Sequence, residues 1–560
     1  MPVVSEALKS EPEYSAGAAP GDFITWREQL EAWRQRLART EWTPWLIVGL
    51  GALLRLFLLG IKPPHFDEGI NGWFVDQMVK SGFYNYDPTN YHGPLHFYVL
   101  FLSQSLFGRN IWALRLPVVL VSTICIWLTL RFDRLVGRDV SRLAALAMAI
   151  SPGFVFYGRY SIHEVWLLLF SMLFVLGLLG LWRFGTRGYL WSTGMGVAGM
   201  ILTKETYLIH IGCAVIAAGV AWISNLITPA PDTRPAKRSW DSLDLAMVIG
   251  TAAFAVVFFY SGTFLHWSGV KGLYQAYAAW FETGESGHGH EKPWYYWLKL
   301  IVRYEWPVLG GLATCLFCQF LKNISLRYLA IYGVGTVIAY SIVHYKTPWC
   351  IISIVWPFLF LFGAGYFLVP AAHKKIGQTI LIVLLSCSLG WSISLNYYRC
   401  TKFISDDWDP NKNFAENIGY FFTTEPYVYV QTYNDIFRLT RPVLELADQN
   451  PVFYQITGHI IRPSSYPLPW ILDDFPNIGY YEHDNLPATL DADFLLVQQD
   501  HIKDVEAKLQ KSYYTEPLTI RPYQDTSKLY LEAKRFKDFF PDRQPEFIGK
   551  KSVRSEPGPK

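Results

Sequence analysis

Apolar residues in this chain come in long unbroken runs rather than in alternation. PWLIVGLGALLRLFLLGI (44–61), VWLLLFSMLFVLGLLGLW (165–182), LAMVIGTAAFAVVFFYSG (245–262) and IGQTILIVLLSCSLGWSISL (376–395) each match, at 1.5 Å per residue, a hydrocarbon core of ~30 Å. Such runs predict transmembrane helices, because a chain in lipid must satisfy its own backbone hydrogen bonds. The same pattern predicts eleven spans, near 44–61, 111–130, 142–158, 165–182, 189–203, 207–226, 243–262, 298–320, 328–343, 349–370 and 376–396. No short apolar segment with a cleavage site precedes the first, so it is expected to stay as an anchor.

The polar positions orient these spans. Arg131, Arg134, Arg138 and Arg142, then Arg183 and Arg187, then Arg234, Lys237 and Arg238, then Lys322 and Arg327, then Lys374 and Lys375 fall in alternate connections. By the positive-inside rule these connections are cytoplasmic, which puts the N-terminus inside and everything after 397 outside. Residues 1–43 are expected to form a cytoplasmic tail and an interfacial amphipathic helix with Trp26, Leu30, Trp33 and Leu37 on one face. Residues 44–397 form the membrane domain, with a first outer loop at 62–110. From 398 to 548, strand-like runs such as EPYVYVQTYND (425–435), NPVFYQITG, PNIGYYEH and ADFLLVQQD alternate with the helix-like IFRLTRPVLELAD and HIKDVEAKLQK. That alternation predicts an extracytoplasmic α/β domain, followed by a loose tail at 549–560.

Composition narrows the function. Acids and bases nearly balance, with net charge +3, so nothing points to a nucleic-acid partner. The seven cysteines lie largely within apolar runs and act there as small hydrophobes.

The ionisable residues that border the spans gather on the outer side of this topology. Asp67 and Glu68 follow the first span, while Arg159, His163 and Glu164 join the third and fourth. Lys204 and Glu205 join the fifth and sixth, and Lys346 joins the ninth and tenth. A charge at membrane depth costs ~2.5–3.5 kcal/mol, so these groups are expected to pair, face a cavity or do chemistry. Taken singly, Asp67 also fits a helix N-cap and Glu68 a first-turn acid of the segment DEGINGWFVDQMVKSG. Arg55 is expected to snorkel from the first span to the outer headgroups or to pair there. The loop GESGHGHEKPWYY (284–296), with His288, His290 and Glu291, reads either as a lid or metal-touching loop or as an exposed mobile one.

HFDEG (65–69), YHGPLHFYVLFLSQSLFG (91–108) and ALRLP (113–117), with TKE (203–205), YKTPW (345–349) and PLPW (467–470), resemble the polyprenyl-phosphate-sugar-dependent glycosyltransferases of the GT-C superfamily. Protein O-mannosyltransferases and lipid A aminoarabinose transferases share this layout. Closer still is a prokaryotic branch labelled flippase-activity-associated and linked to N-glycosylation. The resemblance implies an all-α polytopic membrane domain of GT-C type with outer-face juxtamembrane helices. It implies a polyprenyl-phosphate sugar as donor partner and a lipid-linked glycan or protein as acceptor. It also implies an inner-membrane, multi-pass location.

Residue by residue, Asp67 matches the loop-one acid that acts as catalytic base or substrate anchor, with Glu68 beside it. Arg159 and Glu164 match an Arg-then-acid pattern, Glu standing here for the Asp of many relatives and His163 being added. Lys204 matches a lysine at the lipid phosphate, and Lys346 the basic residue before the Pro-containing span. His65, His92 and Glu205 fall in the same motifs as substrate-binding candidates. Glu68, His163 and Glu164 are oxygen and nitrogen donors suited to a divalent cation, Mg²⁺ or Mn²⁺, though nothing in the sequence fixes one. The rival expectation is a lipid-linked-sugar flippase, or a flippase partner, without transfer chemistry. A transferase of oligosaccharides to asparagine is a weaker rival, because no Trp-Trp-Asp triplet occurs.

Overall fold

The structure, a computed structural model, describes residues 41–90, 92–231, 237–286, 290–400, 425–482, 486–522 and 524–547. The expected amphipathic helix at 23–40 and the tail at 549–560 lie outside the described residues, as does His288. Among the described residues seven helical stretches are long and apolar enough to cross a membrane: Ile111–Val136, Glu164–Phe184, Tyr207–Ile227, Ser242–Tyr260, Ile324–Ile342, Pro348–Leu368 and Ala371–Tyr398. Each coincides with an expected span. The other four expected spans fall on shorter or broken helices: α1 (Trp42–Leu56), α5 (Arg138–Ile150) followed by α6 (Pro152–Tyr157), α8 (Arg187–Ile201), and α12 (Tyr296–Tyr304) followed by α13 (Trp306–Cys315). The remaining helices that matter below are α2 (Phe66–Ser81), α3 (Leu95–Phe107), α4 (Ile111–Leu130), α7 (Glu164–Phe184), α9 (Tyr207–Ile227), α10 (Ser242–Tyr260), α11 (Ser268–Ser286), α14 (Ile324–Ile342), α15 (Ile351–Leu368) and α16 (Lys374–Ile393).

Helix α15 is apolar on every side, and every residue from Ile351 to Ala364 is buried. That all-round pattern makes it the centre of the helical domain. Helices α7 and α8 pack more closely than large side chains would permit. A Cβ on Gly177, Gly196 or Gly199 would run into Thr193, Phe174 or Phe170 of the facing helix. Small residues at a membrane helix contact serve this purpose.

Breaks in the helices leave carbonyls without partners, and buried arginines supply the donors. Where α5 stops before Pro152, Arg55 donates to the carbonyls of Ala149, Met148 and Phe154, and to Ser122 Oγ at 2.7 Å. It is fully buried. The expected snorkelling of Arg55 is therefore corrected: a broken neighbour offers acceptors that make the trip to the headgroups unnecessary.

The C-terminal region holds a six-stranded mixed sheet in the order β2-β1-β3-β5-β4-β6: β1 (Gly458–Ile461), β2 (Ile478–Tyr481), β3 (Phe494–Gln498), β4 (Ser512–Leu518), β5 (Ser527–Glu532) and β6 (Glu546–Phe547). β1 runs parallel to β2 and β3, whereas β5 is antiparallel to β3 and β4. Phe494 and Leu496 face the helix α17 (Phe437–Gln449), while Leu495 and Val497 face the opposite side with Val505 and Leu509. The period-two alternation thus buries both faces.

One expected strand does not form. Residues 425–433 run as buried irregular chain against the helical domain. The Tyr427 ring stacks on Tyr304 at 4.1 Å, and Gln431 donates to the Pro63 carbonyl at 3.1 Å. Alternating Tyr and Val look like a half-buried strand, but here aromatic pockets between helices take the side chains instead of a sheet.

Candidate functional site

The segment from Phe57 to Pro63, between α1 and α2, is neither helix nor strand, and two arginines hold it. Arg159 donates to the carbonyls of Leu54, Phe57 and Leu58. Arg115, from α4, donates to those of Leu59, Lys62 and Pro63. Helix α2 then starts with a capping box in which His65 Nδ1 accepts from the Asp67 amide and the Glu68 carboxylate accepts from the His65 amide. An accepting Nδ1 leaves the proton on Nε2, which donates to the Tyr429 carbonyl at 2.9 Å. Burial lowers the His65 pKa and keeps this neutral tautomer.

Adjacent in sequence, Asp67 and Glu68 point to different surroundings. Glu68 is fully buried and meets Arg115 twice, Nε at 2.8 Å and Nη2 at 2.6 Å. It also accepts from the amides of Ser161 and His65, each at 2.9 Å. Burial pushes the Glu68 carboxyl up, but the Arg115 charge and these donors outweigh it and hold the pKa at about 2. Asp67 is 30% exposed, and among the described residues its carboxylate accepts no hydrogen bond. Its nearest partner is His65 Nδ1, at 3.7 Å. The N-cap is therefore His65, which leaves the Asp67 side chain free to face a cavity.

That cavity, of about 140 Å³, is lined by Asp67 and Asn71 of α2, by His92, by His163 and Glu164 at the start of α7, and by Lys204. Trp280 of α11, Tyr345 and Trp349 complete an aromatic wall. The Gly93 amide donates to the Thr203 carbonyl and the Leu95 amide to that of Leu202, each at 3.1 Å. A Cβ at Gly93 would collide with the Leu202 and Thr203 backbone. Only glycine permits this approach, and it brings His92 Nδ1 to 3.3 Å from Glu205 Oε2. Lys204 pairs with Glu164, with Cys350 Sγ 3.9 Å from each. His163 lies between two imidazoles, its ring centroid 4.7 Å from His92 and 4.6 Å from His96. Burial and those two neighbours drive the His163 pKa well down, so the ring is neutral, and its Nε2 has no partner among the described residues.

The remaining expected site residues sit elsewhere. Arg159 does not line the cavity. Its guanidinium is spent on the end of α1 and lies over the Tyr397 ring at 4.9 Å. Lys346 donates to the carbonyls of Lys292 and Val343, and its amide to that of His290. It thereby fastens Lys292 to the strand-like bridge between Glu291 and Tyr345. The carboxylate of Glu68 is committed to Arg115, whereas His163 and Glu164 face the cavity. Among the described residues no three acidic, histidine or cysteine side chains gather as metal ligands. Glu68 is therefore not brought together with His163 and Glu164 as one cation-binding set.

Sequence reasoning passed over Asn71, Trp280, Tyr345 and Trp349. Trp349 closes the YKTPW motif, and Trp280 belongs to α11, whose apolar and polar positions in SGVKGLYQAYAAWFETGES carry a helical period.

Residues 91–260 match the family model described as dolichyl-phosphate-mannose-protein mannosyltransferase. The match takes in His92, Arg159, His163, Glu164, Lys204 and Glu205 and excludes Asp67 and Lys346. Two solved structures are similar. ArnT from Cupriavidus metallidurans bound to undecaprenyl phosphate shares 14% identity over 88% of this chain and 98% of its own, with a TM-score of 0.59. The same enzyme in the apo state shares 13% identity over 90% of this chain and 99% of its own, with a TM-score of 0.55. No curated protein matches the sequence. These likenesses give an ArnT-like fold and a multi-pass integral membrane protein. Over 91–260 the chain is thus similar to the dolichyl-phosphate-mannose-protein mannosyltransferases, and in fold to ArnT.

Proposed function

We propose that this chain moves a sugar from a polyprenyl-phosphate-linked donor to an acceptor hydroxyl on the extracytoplasmic face, with inversion at the anomeric carbon. The N-terminus is cytoplasmic, and the C-terminal α/β domain lies outside with the cavity. The seven long helices and the four shorter or broken ones make up eleven crossings in this reading. The observation that carries it is the shared cavity: an acid without hydrogen-bonded partners, Asp67, and a buried cation, Lys204, line one space walled by tryptophan and tyrosine.

The acceptor oxygen attacks the anomeric carbon while Asp67 takes its proton, a role worth ~10²–10⁴-fold. The bond from that carbon to the phosphate oxygen breaks, and polyprenyl phosphate leaves with the electron pair. Lys204 turns from Glu164 to the phosphate and stabilises the charge that develops. Neutral His163 supplies its unpartnered Nε2 to a sugar hydroxyl, and Trp280 and Trp349 give the sugar ring apolar faces. Arg159, Lys346 and Glu68 act at one remove, by fixing the chain segments that shape the cavity. The bound lipid phosphate of the ArnT structure supports the donor assignment by analogy of fold.

The test is transfer from a panel of radiolabelled polyprenyl-phosphate sugars. Asp67→Asn is expected to fold and insert normally while release of polyprenyl phosphate falls at least a hundredfold. Undiminished release by that variant removes Asp67 as the base.

A further inference from the structure

Beside Phe66, the neighbour of Asp67, the C-terminal domain brings up two buried arginines that form no ion pair with a carboxylate among the described residues. Arg521, in the connection between β4 and β5, places its guanidinium 3.9 Å from the centre of the Phe66 ring, the residue next to Asp67. It donates through Nη2 to the Ser464 carbonyl at 2.9 Å and to Ser464 Oγ at 2.8 Å. Its Nε is buried and has no partner among the described residues. Arg462, directly after β1, donates to Ser527 Oγ at 3.0 Å and to Gln524 Oε1 at 2.8 Å. The two side chains are 6% and 3% exposed. The acids that act on them are Asp67 for Arg521 and Asp525 for Arg462. Neither forms an ion pair with its arginine among the described residues. Glu482, a further acid among the described residues, accepts from the Ser464 amide.

Two guanidiniums taken out of water with only neutral acceptors are expensive, and an arrangement of this kind is stable when an anion completes it. Its place also fits a ligand. Arg462 stands at the carboxyl end of β1, whose neighbours β2 and β3 are parallel to it. Ligands of parallel sheets bind in the crevice outside those strand ends. The chain that follows Arg462 packs closely on the start of α2: a Cβ on Gly69 would meet Pro467, and one on Gly72 would meet Trp470.

We propose that Arg521, backed by Arg462, forms an oxyanion subsite beside Asp67 that receives a phosphate or carboxylate group carried by the acceptor. The subsite rests on the reading that Asp67 meets an acceptor, and it deepens that reading by giving the acceptor a chemical class. Lys204 serves the donor phosphate and Arg521 the acceptor anion, with the base between them.

Equilibrium binding of two probes to the full-length detergent-solubilised protein tests this without turnover: octyl glucoside and octyl glucoside 6-phosphate. Wild type is expected to bind the phosphorylated probe at least tenfold more tightly. Arg521→Gln should erase the difference, Arg521→Lys should keep part of it, and Lys204→Met should leave it whole. Arg462→Gln provides a second measurement should Arg521→Gln fail to fold, and is also expected to shrink the preference. Equal binding of both probes by wild type overturns the proposal. So does a preference that survives Arg521→Gln or, where that variant does not fold, Arg462→Gln. A preference lost in Lys204→Met overturns it too, since the anion would then sit at the donor site. Because binding needs no chemistry, a protein that discriminates at Arg521 yet transfers no sugar would refute the proposed function and leave the subsite standing.

Discussion

Two buried ion pairs frame the loop-one region, and they differ in what else reaches them. Glu68 and Arg115 lie behind α2, where every acceptor direction of the carboxylate is occupied by Arg115, Ser161 or His65. Lys204 and Glu164 lie on the cavity wall, where the ammonium's other hydrogen-bonding neighbour among the described residues is the Cys350 thiol. A carboxylate already saturated by donors has nothing to offer a substrate. An ammonium with one acid and one weak acceptor can exchange partners when a phosphate arrives. Burial alone does not separate structural from functional charge. The number of hydrogen-bonding directions still open does.

This contrast predicts opposite signatures. Glu68→Gln leaves Arg115 charged, buried and short of a counter-ion, and is expected to cost ~3–5 kcal/mol of stability. The check is the thermal unfolding midpoint and the monodisperse yield of the purified variant. The pH dependence has a defined sign. The folded pKa of Glu68, about 2, lies below its ordinary value of 4.5, so its contribution is complete above pH 4.5 and fades as pH falls through about 2. Acid titration of wild type should show this loss, and Glu68→Gln should lack that part of it. An unchanged midpoint would merge the two pairs into one kind.

Lys204→Met should fail in the other way. Glu164 then borders the cavity without its cation, where water can reach it, so the stability loss is expected to be less than half that of Glu68→Gln. The donor phosphate loses one charge-assisted hydrogen bond, worth ~1.5–3 kcal/mol, which corresponds to a ten- to hundredfold fall in kcat/KM for the lipid-linked sugar. Steady-state transfer by the folded variant decides this. A variant that misfolds as badly as Glu68→Gln would make Lys204 a staple rather than a ligand.

The apolar pattern made the membrane domain legible, and the motifs made the short outer connections stand out. The convergence of Asp67, His163, Glu164 and Lys204 could be anticipated because each ends or begins a span on one side. Which member of the Asp67–Glu68 pair would face inward could not, since that depends on Arg115 of another helix. Arg159 read as a phosphate ligand because its motif gives the residue type and not the need it meets. The need arises where α1 ends at Leu56 and leaves carbonyls in an apolar setting. The segment 425–433 read as a strand because its tyrosines and valines alternate. Its partners, Pro63, Tyr160 and Tyr304, are remote in sequence and carry no mark of the contact. β4 and β5 went unread, and β4 carries Pro517 within its run, which counts against a strand.

A third pair sets the lower end of the scale. Lys80 Nζ meets Asp473 Oδ1 at 2.8 Å, joining the end of α2 to the C-terminal domain. Its distance resembles that of the Glu68 pair, but the Lys80 side chain is 54% exposed. Water screens the attraction, and the lysine loses rotamer freedom to make it, so such a pair contributes ~0–1 kcal/mol. Lys80→Ala is therefore expected to shift the unfolding midpoint by less than any change above, and to lose even that shift in 1 M salt, where the screening length is ~3 Å. If it destabilises the protein as strongly as Glu68→Gln at any salt concentration, the ranking by remaining hydrogen-bond directions and water access is wrong, and distance would have been the better guide.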